Sequence, residues 1–192
     1  LLISLFRDPS EVVEYQIYYK VYYTLGSIAA IALVPIWSAV TMAATQGRYG
    51  WIISTYKRCL LLALGVGAVC LVSAPFVQFG FDLWLGDSSV PVNLWYVAIM
   101  SLYSVAFVLQ NVNTSIGNGL SYFKVQLLLM GIAAILMVPL SWALCNALGG
   151  WIGVVLATVL AILPFQFVEP VACIRHLRKL GQSKMVGKNQ KE

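Results

Sequence analysis

Long apolar runs separated by short polar breaks recur between Tyr18 and Arg175, and this repetition constrains the chain more than any other feature. A helix needs roughly 20 mainly apolar residues to cross the hydrocarbon core, where lipid offers no partner for exposed backbone amides and carbonyls. Run length and turn residues predict five such helices: Glu11 to Thr45, Ile52 to Phe79, Val92 to Gly117, Tyr122 to Leu148 and Trp151 to Leu177. Gly149-Gly150 parts the last two. Composition agrees, since 60% of the 192 residues are hydrophobic and only 10% are charged, whereas soluble domains are about a quarter charged. The implied fold class is an all-α membrane protein with five transmembrane helices spanning residues 11 to 177.

The segments outside the spans are short. The run from Leu1 to Phe6 is too brief to cross a membrane and lacks the charged leader of a signal peptide, so residues 1 to 10 read as the end of a truncated helix and an outer loop. Residues 178 to 192 form a basic tail. Arg48, Lys57, Arg58, Lys124, Arg175 and every Lys or Arg from Arg178 to Lys191 gather on one side of the spans, while Arg7 stands alone on the other. Positive charge favours the cytoplasmic side, so the Arg48 loop, the Lys124 loop and the tail are expected there, with Asp82 and Asp87 outside. A net charge of +5 is then a topology signal rather than a nucleic-acid footprint.

Chemistry of the common catalytic kinds has no sequence support. Cys59, Cys70, Cys145 and Cys173 lie far apart in apolar surroundings, with no Cys-x-x-Cys pair and no neighbouring histidine cluster, which argues against metal and disulfide roles. Phosphate-binding glycine loops and nucleophile elbows are absent, so neither an enzyme nor a cofactor is expected. Pro35, Pro75, Pro139 and Pro164 fall within four different spans, where each removes a backbone donor and favours a kink. Membranes tolerate kinks where neighbouring helices or cavity water satisfy the freed carbonyls, which points to an internal cavity. Trp51, Trp84, Trp95 and Trp151 sit near predicted helix ends, where indole suits the headgroup level. Tyr49 to Lys57 is amphipathic and reads as a segment lying on the inner surface.

The polar residues inside the spans are the candidate site. Lys20 lies within the first helix, where a charge costs several kcal/mol unless it faces water or a partner. Gln16, Tyr23, Thr24 and Ser27 stand at i−4, i+3, i+4 and i+7 from it, on one face, and Ser38, Thr41 and Thr45 extend that stripe past Pro35. The stripe either lines a hydrated cavity or, at Lys20, snorkels to the outer headgroups. Tyr15, Tyr18, Tyr19, Tyr22 and Tyr23 either stack on sugar rings or form an interfacial belt, the belt being the simpler reading for most. In the third helix Asn111, Asn113 and Thr114 either contact a ligand or bond neighbouring helices. Glu169 is either a coupling carboxylate or, more simply, an interfacial acid neutralised by nearby cations, and His176 is a solvated residue of the basic end.

Tyr15-Gln16-Ile17-Tyr18-Tyr19-Lys20, followed by Pro35-Ile36-Trp37-Ser38-Ala39-Val40-Thr41, resembles the C-terminal half of bacterial oligosaccharide flippases. These are the polysaccharide-biosynthesis (O-antigen) exporters of the multidrug/oligosaccharidyl-lipid/polysaccharide superfamily. The order continues through Trp51-Ile52 and Lys57, the stretch from Gln110 to Ser115, and Pro164-Phe165-Gln166, covering nearly the whole chain. An acid that often follows the Thr of the Trp-Ser-Ala-x-Thr motif is Met42 here, and the Asp expected shortly before Trp-Ile is replaced by uncharged or basic residues including Arg48. The resemblance implies a MATE-like transporter of about a dozen helices in two related lobes, working by alternating access around a partly cationic cavity. This chain would form most of the C-terminal lobe, paired with an N-terminal lobe of the same protein in the bacterial inner membrane. The implied substrate is an undecaprenyl-diphosphate-linked oligosaccharide whose diphosphate and sugars meet Lys20, Gln16 and their neighbours. Two other readings compete: a multidrug or organic-cation antiporter, which would need an acid deep within a span where none is expected here, and a membrane-embedded glycosyltransferase or polymerase, for which Asp82 and Asp87 are the outward acids after the first helix.

Overall fold

A computed structural model describes residues 2–86 and 90–189, with side chains as far as residue 180. Leu1, Asp87 and Lys191 lie outside the described residues, as do the side chains of Lys184 and Lys188. The elements are α1 (Leu2–Phe6), α2 (Pro9–Thr45), α3 (Tyr49–Val72), a single 3-10 turn (Ala74–Phe76), α4 (Val77–Leu85), α5 (Leu94–Gly119), α6 (Lys124–Leu148) and α7 (Ile152–Asn189). No strand occurs among the described residues. Five helices, α2, α3, α5, α6 and α7, are long and apolar enough to cross a membrane. The chain is therefore an all-α, multi-pass membrane protein.

The bundle is organised around α5, which packs against α2, α3 and α7, while α6 leans mainly on α7. Half of α7's most apolar stretch is buried but only 11% of α6's, so α6 is the peripheral helix. Buried side chains form two cores. One joins Tyr18, Tyr22, Cys70, Phe81, Met100 and Trp151 near the start of α2 and α7. The other joins Leu33, Val40, Ile52, Tyr56, Val112, Ile116 and Leu177 at the opposite end. Residues Leu2–Phe6 form the short helix α1, and beyond it the Arg7 guanidinium donates from Nη2 to the Cys145 carbonyl of α6. Pro9 opens α2 in the first turn, where its missing N–H has no helical partner to lose.

Three boundaries differ from the sequence expectation. Pro75 does not kink a continuous second helix. Its ring would clash with the Leu71 carbonyl, so α3 ends at Val72 and Pro75 enters the 3-10 turn before α4. Pro35, Pro139 and Pro164 do lie inside α2, α6 and α7, and Pro170 is a second proline inside α7. Tyr49 to Lys57 is no separate surface segment. It forms the opening turns of α3, held there because Ile52 and Tyr56 are buried in the same core as Cys59 and Ala63. Finally, α7 continues unbroken past Leu177 to Asn189, so the basic segment is at first a helical extension rather than an irregular tail.

The aromatic residues also divide in a way composition does not reveal. Trp51, Trp84 and Trp95 are exposed at helix ends, as interfacial anchors should be, but Trp151 is 1% exposed. Its indole Nε1 donates to Glu14 Oε2 at 2.9 Å, and its ring meets those of Tyr15, Tyr18 and Tyr96. Tyr18 and Tyr22 are fully enclosed, which removes them from any belt. Tyr15, Tyr19 and Tyr23 form a ladder along α2, with successive centroids 5.3 and 5.0 Å apart, that continues onto Phe107 of α5 at 5.1 Å.

Candidate functional site

Lys20 sits on the exposed side of α2, beside α4. Beyond the 3-10 turn that holds Pro75, α4 lies beside α2, where Phe81 packs edge-on against Tyr18 with centroids 5.2 Å apart. Two hydrogen bonds fasten the segment between α4 and α5: the Val92 amide donates to Gln78 Oε1 at 2.7 Å, and the Asn93 amide donates to the Tyr18 hydroxyl at 3.0 Å. As a result the Trp84 ring lies beneath Lys20, whose Nζ is 5.3 Å from the ring centroid. A cation over indole at an exposed site contributes about 0.5–1 kcal/mol, enough to orient the ammonium without neutralising it.

Grooves flank this pair on both sides. The larger, about 620 Å³, runs between α2 and the α3–α4 corner, with Thr24, Ser73, Phe76 and Phe81 among its walls and Lys20 at its rim. The smaller, about 240 Å³, lies on the other side of Trp84 beside Gln16 and Ile17. Gln16, Lys20 and Thr24 are thus brought together around one indole. The combination is an ammonium and an amide above mostly apolar walls, suited to an anionic group carried on a hydrocarbon chain.

Other parts of the expected stripe are arranged differently. Tyr23 turns aside into the aromatic ladder, and Ser27 is half-buried. Ser38 and Thr41 line a third groove of about 450 Å³, about 27 Å along the helix from Lys20 at 1.5 Å per residue. Between the two polar patches the same face carries Ile31 and Val34, 69% and 71% exposed. The stripe is therefore two polar patches with an apolar waist. Its hydroxyls donate back to their own helix, Thr24 to the Lys20 carbonyl at 2.6 Å, Ser27 to Thr24 at 2.9 Å, Ser38 to Pro35 at 3.0 Å and Thr41 to Trp37 at 3.1 Å. That leaves their oxygens as acceptors for an outside donor.

Helix α5 separates its polar residues sharply. Asn113 does not face a cavity. It is completely enclosed, where its Oδ1 accepts from the Tyr56 hydroxyl and its Nδ2 donates to Gln166 Oε1 at 3.0 Å. Gln166 in turn donates to the Ala106 carbonyl at 3.1 Å, so one network fastens α3, α5 and α7 together. Asn111 and Thr114 are half-buried, and Asn111 donates to the Phe107 carbonyl at 2.9 Å.

Glu169 is not an interfacial acid neutralised by neighbouring cations. It is 0% exposed, neither carboxylate oxygen has a hydrogen-bond partner, and it forms no ion pair among the described residues. The residue is therefore enclosed by the bundle itself, within the helix stretch Ile152–Leu180. Its place was legible only in part: Gln166, Glu169 and Cys173 share a helical face, but nothing in the sequence says that this face meets α5. His176 is likewise not simply solvated, since its ring stacks on Tyr122 at 4.7 Å. Comparison with known proteins brings no relative to this site: no protein-family model, curated protein or solved structure matches the chain.

Proposed function

We propose that this chain is the C-terminal lobe of a transporter that flips lipid-linked oligosaccharide across the bacterial inner membrane, with its C-terminal end in the cytoplasm. The observation that carries the reading is the placement of Lys20: an exposed ammonium on α2, a helix long and apolar enough to cross a membrane, held over Trp84 at the rim of a mostly apolar groove. A polyprenyl diphosphate presents the complementary pair, an anionic head and a hydrocarbon tail. The acceptor oxygens of Thr24, and of Ser38 and Thr41 further along the same face, suit sugar hydroxyls. An N-terminal lobe packed across the exposed side of α2 would close these patches into a cavity, and alternating access would then expose it to each side in turn.

Complementation tests the reading. A bacterium lacking its flippase and supplied with the full-length protein should regain surface glycan and clear the lipid-linked precursor from the inner leaflet. Lys20→Ala should lower display at least about tenfold, and Lys20→Glu further, which corresponds to losing roughly 1.4 kcal/mol or more of a charge-assisted contact. Full display by both variants at wild-type expression would remove Lys20 from substrate binding. A second reading, a multidrug or organic-cation antiporter, gains from one observation, the enclosed Glu169, because such a pump needs an intramembrane acid. Drug resistance conferred by the full-length protein and lost in Glu169→Gln, without any glycan phenotype, would favour it.

A further inference from the structure

Along α3, Trp51, Thr55, Arg58 and Leu62 stand at i, i+4, i+7 and i+11, so they share one helical face. That face meets Ala32, Leu33 and Ile36 of α2 across a groove of about 380 Å³, within the size range of small-molecule sites. Leu33 and Cys59, 2% and 7% exposed, form its floor, while Trp51, Arg58 and Leu62 are exposed along its edge. The Trp51 indole and the Arg58 guanidinium can only donate hydrogen bonds, and the Thr55 hydroxyl can donate as well. No carboxylate or amide side chain lines the groove to receive them.

Arg58 lies about 14 Å along α3 from Tyr49 at 1.5 Å per residue, and the apolar run from Cys59 to Leu64 follows it at once. A cation placed so far along an apolar helix calls for a partner. The described residues supply none. Asp8, Glu11 and Glu14 stand at the start of α2 and Asp82 in α4; Glu14 is about 27 Å along α2 from Ala32. Glu169 is enclosed on α7, and the ion pair among the described residues joins Arg7 to Glu11. The partner must therefore bring its own negative charge and its own acceptors. A guanidinium is the side chain best shaped to hold phosphate oxygens, an indole suits the headgroup level, and Leu33, Ile36 and Leu62 offer hydrocarbon to an acyl chain. Basic pockets between membrane helices are where anionic headgroups settle.

We propose that the groove between α2 and α3 binds one anionic phospholipid, its phosphate held by Arg58 and Thr55, its headgroup beside Trp51, and an acyl chain lying along Leu33, Ile36 and Leu62. At about 100° per residue, Ala32 and Ile36 lie about 120° and 160° round α2 from Lys20. The groove thus opens on a different side of α2 from the Lys20 patch, and the inference does not depend on what the protein transports.

Native mass spectrometry of the full-length protein tests this, with phosphatidylglycerol and phosphatidylcholine of matched acyl chains added to the detergent. Wild type should bind one phosphatidylglycerol at least about tenfold more tightly than phosphatidylcholine, and Arg58→Gln should abolish that preference, the scale expected for removing a charge-assisted contact. Lys57→Gln, which removes an equal charge from the neighbouring face of α3, should keep it. Leu62→Trp, which fills the groove and leaves Arg58 in place, should also lose it and serves as the second variant should Arg58→Gln fail to fold. Equal losses in Lys57→Gln and Arg58→Gln would reduce the effect to general surface charge and overturn the proposal. So would the absence of any preference in wild type, the result expected if another part of the protein covers the groove. Added sn-glycerol 3-phosphate should leave the bound lipid in place; its displacement by that soluble phosphate, or by an equal concentration of a polyprenyl diphosphate, would overturn the assignment to phospholipid.

Discussion

Gly153 of α7 lies against the backbone of Cys145 in α6, so closely that a Cβ built on Gly153 falls 2.5 Å from the Cys145 amide nitrogen and 2.6 Å from the Leu144 carbonyl carbon. Atoms of a helix backbone cannot swing away as a side-chain tip can. The missing side chain is therefore what sets the approach of the two helices, as small residues do where apolar lipid gives helices little other reason to associate. Gly153→Ala should force α6 and α7 apart and destabilise the protein by about 1–3 kcal/mol. Gly65→Ala is the control, because its Cβ would meet nothing within 4 Å and Ala is the better helix former. Thermal unfolding in detergent should show a lowered midpoint for the first variant and an unchanged or slightly raised one for the second; equal midpoints would mean that α6 and α7 do not pack backbone to backbone at Gly153.

Asn113 is the hub of the network joining α3, α5 and α7, and truncating it strands two partners at once. Asn113→Ala leaves the Tyr56 hydroxyl and the Gln166 carbonyl oxygen without their bonds in an enclosed place, a loss of about 1–3 kcal/mol for each group left unsatisfied. Tyr56→Phe removes a single donor and should cost about 0.5–1.5 kcal/mol, the net value of an ordinary hydrogen bond. In the double variant the two losses should fall short of additive, because the shared bond can be lost only once. A double-mutant cycle on unfolding free energies that summed without any coupling would show that Tyr56 and Asn113 do not interact in the membrane.

Legibility in the sequence tracked how local each feature is. The five spans could be read because apolar run length is a property of consecutive residues, and the helix ends fell within a few positions except at Pro75 and at the C-terminal end of α7. At Pro75 an uninterrupted apolar run through Phe79 concealed a helix break made by one proline ring. The Gln16, Lys20 and Thr24 grouping was legible because i, i+4 spacing places residues on one face of any helix. Which face of α5 meets which neighbour was not: Asn111 and Asn113 are two positions apart, yet only Asn113 is enclosed, because α3 and α7 lie on its side. Glu169 belongs to the same category. Its sequence neighbours include cations, but the helix turns them away from it toward the surface.

The contrast between Trp151 and Trp84 gives the last test. Both precede or end a helix and look alike in sequence, but the turn made by Gly149, at φ +72°, folds Trp151 inward onto Tyr15, Tyr18, Tyr96 and Glu14. Trp151→Ala should cost about 3–5 kcal/mol, the usual loss for a large buried aromatic side chain. Trp84 is half-exposed and bears mainly on Lys20, so Trp84→Ala should change stability by no more than about 0.5–1 kcal/mol. If the protein is the proposed flippase, its effect should appear instead in glycan display, reduced because the ammonium loses the ring that orients it. If Trp84→Ala unfolded as readily as Trp151→Ala, α4 would be part of the structural core, and the groove beside Lys20 would be a packing seam rather than a place for substrate.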